Sequence, residues 1–173
     1  MNNIVNNTTT ANVINTSDIV TNRNIVLCGV GGQGTVLASK LLAAAAMSKD
    51  IPVMSAETIG MAQRGGSVFS HLRMGKNLYS PMIKTGTADL IIGFEPGETV
   101  RMLPYLKEHR QVVVSTHAIK PVTATLSGSS YDAPPMIDYL KKHVENLTLI
   151  DADTICREIG SQKVLNMVLL GAA

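Results

Sequence analysis

Tryptophan is absent from this 173-residue chain, and aromatic residues amount to only 3%. With so few ring faces for base stacking, and 15 basic against 13 acidic side chains, the sequence lacks the makings of a nucleic-acid surface. Cysteine is scarce too: Cys28 and Cys156 stand far apart, without C-x-x-C, ferredoxin-like or zinc spacing. No metal site or iron–sulfur cluster is expected on such a pair. Cys28 lies in an apolar run where inert burial is the ordinary outcome. No apolar run approaches the roughly 18–20 residues of a membrane span. Nor is there the basic start and apolar stretch of a secretory signal, so the expected compartment is cytoplasmic. Charged residues make up only 16%, a deficit that hints at surface buried against a partner.

From Met1 to Arg23 the chain is crowded with Asn and Thr and carries only Asp18 and Arg23 as charges. Such a segment cannot bury enough apolar surface to offset its ordering and is expected to be a disordered tail. Residues 24–173 then form a single domain, the usual outcome for about 100–200 residues.

Within that domain a β/α rhythm sets in. Short apolar runs at Ile25–Cys28, Leu90–Phe94, Val112–Val114 and Leu147–Ile150 read as strands, and Pro52–Ala56 and Ser67–Arg73 are further strand candidates. Most are continuous rather than alternating, as expected of parallel strands covered on both faces. Helices are expected over Thr35–Ser48, Gly97–Lys107, Pro135–Val144 and Thr154–Gly160, the first apolar on nearly all sides. Lys76-Asn77 suggests a hairpin turn between two strand-like stretches. The fold class is α/β: a Rossmann-like three-layer sandwich with a mostly parallel central sheet.

Chemistry is concentrated in two glycine loops. The first, Gly29-Val30-Gly31-Gly32-Gln33-Gly34-Thr35, contains G-x-G-x-x-G between a strand and a helix. Missing Cβ atoms allow a tight turn and a close approach to phosphate, whose charge meets free amides at the helix start. Gly29, Gly31, Gly32, Gln33, Gly34 and Thr35 are therefore the candidate cofactor-binding residues. The same glycines would also serve a bare strand–helix crossing. The second loop, Glu57 to Ser67, leaves a strand end and is long for an α/β connection. Gln63, Arg64, Gly65, Gly66 and Ser67 combine a guanidinium with exposed amides, a sensible anion clamp or docking loop. Glu57 stands near where a ribose-binding acid would be, or else pairs with Arg64. Glu95 ends a strand and either faces substrate or a subunit, or caps a helix with Glu98. The four histidines show no metal-like spacing, and no nucleophile has an evident base, so no catalytic residue is assigned.

Cys28–Thr35, Glu57–Ser67, Tyr79–Ile83 and Ala88–Pro96 occur in this order. Together they resemble the beta subunits of indolepyruvate:ferredoxin oxidoreductases, which are similar to the gamma subunits of the wider 2-oxoacid:ferredoxin oxidoreductases. The resemblance spans Asn24 to Ala173. It implies a complex that oxidatively decarboxylates aryl pyruvates with coenzyme A, giving acyl-CoA, carbon dioxide and reduced ferredoxin. It further implies that thiamine diphosphate, magnesium and the iron–sulfur clusters sit on a larger alpha subunit, with no cofactor held by this chain alone. In agreement, the sequence has no Gly-Asp-Gly followed by paired Asn, the usual thiamine diphosphate motif. The chain stops at Gly171-Ala172-Ala173 within an apolar run, where the resemblance implies a further C-terminal piece. Two other functions remain open on the residues: a non-catalytic assembly subunit and a stand-alone dinucleotide-binding protein.

Overall fold

The computed structural model describes residues 21–58, 65–120 and 131–173. Most of the Asn/Thr-rich tail, and Gln63 and Arg64, lie outside the described residues. Along the chain come β1 (Arg23–Val30), α1 (Thr35–Met47), β2 (Val53–Glu57), β3 (Ser67–Met74), β4 (Ala88–Gly93) and α2 (Pro96–Met102). They are followed by β5 (Leu106–Ser115), α3 (Ala133–His143), β6 (Asn146–Ile150), α4 (Ala152–Ile159) and α5 (Leu165–Ala172). Arg23, placed in the tail from sequence, heads β1.

The strands form one sheet in the order β2-β3-β1-β4-β5-β6. β1, β4, β5 and β6 pair in parallel, while β3 runs antiparallel to both β1 and β2. Among the described residues β3 is thus the single reversed strand, and β2 points the same way as β1. Successive side chains alternate across a strand, so each one feeds two cores. Val26 and Cys28 pack with Ile91, Val112, Met102 and Leu140, beneath α2 and α3. Ile25 and Leu27 pack with Ile92, Val113, Ala38 and Leu169, beneath α1, α4 and α5. Both faces are covered, which makes three layers.

The α1 helix, apolar on nearly all sides in sequence, packs on the sheet by one side. Its small residues Ala38, Ser39 and Ala46 turn to the sheet, while Leu37, Leu41 and Met47 lie exposed on the outer side. The small inner side chains let the helix axis come close to the strands.

Two further expectations need correction. The helix predicted over Gly97–Lys107 ends at Met102, because Pro104 has no amide to continue it. The chain passes through a 3₁₀ turn, Leu103–Tyr105, and the following residues lengthen β5 instead. Lys76-Asn77 does turn, with Asn77 left-handed at φ 57°, but no second strand of a hairpin follows. The Tyr79–Ile83 stretch is instead an irregular strap fastened to β3. Arg73 Nη1 donates to the Ser80 carbonyl at 2.8 Å, and the Ile83 amide donates to His71 Nδ1 at 3.0 Å.

His71 is fully buried, with its ring beside Phe69 and edge-on to Tyr105. Its Nδ1 acts as acceptor, so the neutral ring carries its proton on Nε2, which is buried without a hydrogen-bond partner among the described residues. Burial holds His71 below the usual imidazole range. A depressed histidine leaves stability intact above the unfolded value of 6.5 and erodes it as pH falls below that value. Denaturant midpoints measured at about pH 8 and about pH 5.5 should therefore fall more in the wild type than in His71→Gln. Equal slopes for the two proteins would contradict this reading of the ring.

Candidate functional site

Beyond the carboxyl end of β1 the chain crosses to α1, while β4 beside it leads away from the β2/β3 side of the sheet. This reversal of connection makes the crevice where ligands bind in open α/β sheets. The first glycine loop lies there. Gly34 stands at the N-cap of α1 in left-handed backbone, φ 83°, a conformation that a side chain would strain. The first turn of α1 has no acidic residue and no side-chain cap, so its leading amides are without intrahelical acceptors. They border a concavity of about 290 Å³ formed by residues of the 30–36 loop and Val68.

Gly29 serves a different purpose from the other glycines. A Cβ there would stand 2.7 Å from both Gln33 Oε1 and Phe94 Cβ, so its missing side chain permits close packing. Gln33, predicted among the ligand-binding residues, has both ends of its carboxamide engaged. Its Oε1 accepts from the Val30 amide at 2.7 Å, and its Nε2 donates to the Phe94 carbonyl at 2.8 Å. Thr35 is buried, and its hydroxyl is enclosed with no partner among the described residues. What this loop offers outward is its backbone.

The second loop leaves β2 at Glu57 and returns at Ser67, the start of β3, so both of its feet stand on the same rim as the first loop. The described parts of the two loops touch: the Gly31 amide donates to the Gly66 carbonyl at 2.9 Å. Ser67 Oγ donates to Glu98 Oε2 at 2.5 Å. Glu57 does not reach the position of a ribose-binding acid. Glu57 and Leu27 both pair with Ser70, from opposite sides, so β3 separates Glu57 from β1 by two strand spacings, roughly 10 Å. In a dinucleotide-binding sheet the acid follows a strand adjacent to the glycine-loop strand.

Beneath the rim lies a pair of carboxyl groups. Glu95 is fully buried and caps α2, its Oε2 accepting from the Glu98 amide at 2.8 Å and from Tyr131 Oη at 2.9 Å. Among the described residues its Oε1 has no hydrogen-bond partner. Burial pushes the Glu95 carboxyl above the usual carboxylate range, against the hydrogen bonds from Glu98 and Tyr131. The Tyr131 phenol is pushed up as well, by burial and by Glu95. Burial also raises the Cys28 thiol, which sits against Thr99 and is no nucleophile. Of the two expectations for Glu95, the helix cap is the one realised: its carboxyl is turned inward within this chain rather than toward a substrate or subunit. Tyr131 escaped sequence reasoning because it belongs to no motif; its partner Glu95 is 36 residues away.

A cavity of about 820 Å³ is at the opposite, amino-terminal end of the strands, beside Arg23, Asp89, His109 and Glu145. None of the residues singled out from sequence lines it.

A family model described as pyruvate ferredoxin/flavodoxin oxidoreductase matches residues 24–173. This chain belongs to that family. The indolepyruvate oxidoreductase subunit IorB of Methanothermobacter thermautotrophicus is 41% identical over 155 residues, covering 88% of this chain and 78% of that protein. The common gamma subunit of the pyruvate/ketoisovalerate oxidoreductases of Thermococcus litoralis is 30% identical, covering 83% of this chain and 72% of its own. Among solved structures, a gamma subunit of a keto/oxoacid ferredoxin oxidoreductase from Geobacter sulfurreducens superposes with a TM-score of 0.59 at 21% identity. It is covered over 74% of its length, and this chain over 88%. The 2-oxoglutarate:ferredoxin oxidoreductase of Magnetococcus marinus, solved with 2-oxoglutarate, coenzyme A and succinyl-CoA, superposes with a TM-score of 0.63 at 20% identity. There the match covers 87% of this chain and 23% of the other.

In this member of the pyruvate ferredoxin/flavodoxin oxidoreductase family, the close packing at Gly29 predicts that Gly29→Ala destabilises by about 1–3 kcal/mol through overpacking. Chemical denaturation of the purified chain measures it. Glu95 gives a second expectation. A carboxyl raised in the folded state contributes fully below its unfolded value of 4.5, and that contribution is lost as pH rises through the folded value. Glu95→Gln, neutral throughout, should gain stability relative to wild type between about pH 5 and about pH 8. A pH-independent difference in midpoints would rule out the raised carboxyl.

Proposed function

We propose that this chain is the beta subunit of an indolepyruvate:ferredoxin oxidoreductase. Family membership makes it a subunit of a 2-oxoacid:ferredoxin oxidoreductase. Aryl pyruvates are the substrate class favoured by its likeness, at 37–41% identity, to several indolepyruvate oxidoreductase subunits. The complex would convert an aryl pyruvate, coenzyme A and oxidised ferredoxin into acyl-CoA, carbon dioxide and reduced ferredoxin, in the cytoplasm. A larger alpha subunit would hold thiamine diphosphate, magnesium and the iron–sulfur clusters. The cysteine positions support that division: Cys28 is enclosed in β1, and Cys156 is buried on α4.

This chain's own part is one wall of the substrate and coenzyme A passage. The observation that carries this is the Gly31–Gly66 hydrogen bond, which joins the two glycine loops beside the open start of α1. The Gly31 amide is taken by the Gly66 carbonyl, so the backbone amides of Gly32, Gly34 and Thr35 would meet a phosphate of coenzyme A, and Arg64 and Gln63 would add side-chain donors. The fit of the residues is good for an anion: donors predominate, and α1 brings no carboxylate to its first turn. A second reading, a subunit that serves assembly alone, draws on the inward engagement of Gln33, Ser67 and Glu95. The dinucleotide-binding alternative is disfavoured by the strand between Glu57 and β1.

The two surviving readings part in the assembled complex. Arg64→Ala and Gly32→Val should each raise the KM for coenzyme A about tenfold, the effect of losing roughly one charged hydrogen bond. Unchanged kinetics for coenzyme A and the oxoacid in both variants would leave the assembly role.

A further inference from the structure

Three separate pieces of chain end on one corner, Phe94 to Glu98, where β4 turns into α2. Gln33, from the first loop, donates to the Phe94 carbonyl. Ser67, at the foot of the second loop, donates to Glu98 Oε2, and Tyr131 donates to Glu95 Oε2. The corner is itself immobilised. The Phe94 amide donates to the Cys28 carbonyl at 2.8 Å, and the Thr99 hydroxyl donates to the Glu95 carbonyl at 2.7 Å. Glu98 is almost wholly buried, and its other oxygen is 3.8 Å from Arg101 Nε. The Gln33 carboxamide and the Ser67 hydroxyl are thus each engaged within the chain.

We propose that Gln33, Ser67 and Glu98 are positioning residues, which hold the two glycine loops in register against the Phe94–Glu98 corner so that the Gly31–Gly66 pairing forms. The proposal rests on the reading of that rim as a ligand wall and says which side chains set its shape. Ser67 is the informative position. It lies on β3, and its hydroxyl fixes the strand start whose neighbour, Gly66, receives the Gly31 amide. Loss of the hydroxyl therefore loosens a loop that itself carries no substitution. A short O–H···O contact to a buried carboxyl is among the stronger hydrogen bonds, so the loosening should be measurable.

The test uses the assembled complex, with hydrogen exchange followed in peptides spanning residues 29–36 and KM and kcat followed with coenzyme A. Ser67→Ala should speed exchange across 29–36 about tenfold, the equilibrium factor of one hydrogen bond to a carboxyl. Its KM for coenzyme A should rise by about fivefold, more than kcat falls, as for a loss of uniform binding. Ser67→Thr keeps the hydroxyl on a strand that favours β-branched residues and should restore both values. Gln33→Leu should reproduce the exchange result from the other side of the pairing. Unchanged exchange at 29–36 in Ser67→Ala, or a Thr variant that behaves like Ala, overturns the proposal. Faster exchange with an unaltered KM keeps the positioning role and overturns the ligand wall on which it was built.

Discussion

The carboxamide of Gln33 is the contact on which the rest of the rim depends. It takes the Val30 amide on one side and reaches the Phe94 carbonyl on the other, across the gap where β1 and β4 part company. Two parallel strands diverge there, and their terminal backbone groups have no further ladder to join. An unmade buried hydrogen bond costs about 1–3 kcal/mol, so the amide side chain closes a place that would otherwise be both weak and wet. The missing Cβ at Gly29 is a condition of the same contact, since a methyl group there would occupy the space of Gln33 and Phe94.

The polarity of the rim follows from where its acids are sent. Glu95 and Glu98 turn beneath the surface, where they receive Tyr131, Ser67 and the amide of Glu98 itself. The outward face is left to backbone amides and to the uncapped start of α1. A helix start of this kind favours negative charge. The arrangement has an internal cost, since Glu95 is buried with one oxygen unpartnered among the described residues, and its carboxyl gives way by holding its proton more tightly.

Much of this was legible in the residues. The continuous apolar runs at Leu90–Phe94 and Val112–Val114 gave away buried parallel strands, and the strand–glycine–helix order located the first loop. The order of the motifs disclosed the family. What escaped were features decided by distant partners. The Gln33 side chain is written like a ligand donor, and only the proximity of Phe94, 61 residues on, turns it inward. The direction of β3 escaped as well, because a strand covered on both faces carries no mark of its polarity. Helix propensity beyond Gly97 misled because Pro104 terminates α2 and hands the following residues to β5. Tyr131 had no local signal of any kind.

The reversal of β3 has a bearing on how such a subunit evolves. Because β2 and β3 are antiparallel neighbours, the chain that leaves Thr58 re-enters the sheet at Ser67 beside its point of departure. Its span is therefore set by adjacent strands, and lengthening it raises the closure entropy only slowly, by about 0.6 kcal/mol per doubling. A parallel crossover would have tied that same stretch to the packing of a helix. Insertions and substitutions between those two feet can accumulate while every strand register stays as it is, and a lineage can remodel what this edge meets without redesigning the domain that presents it.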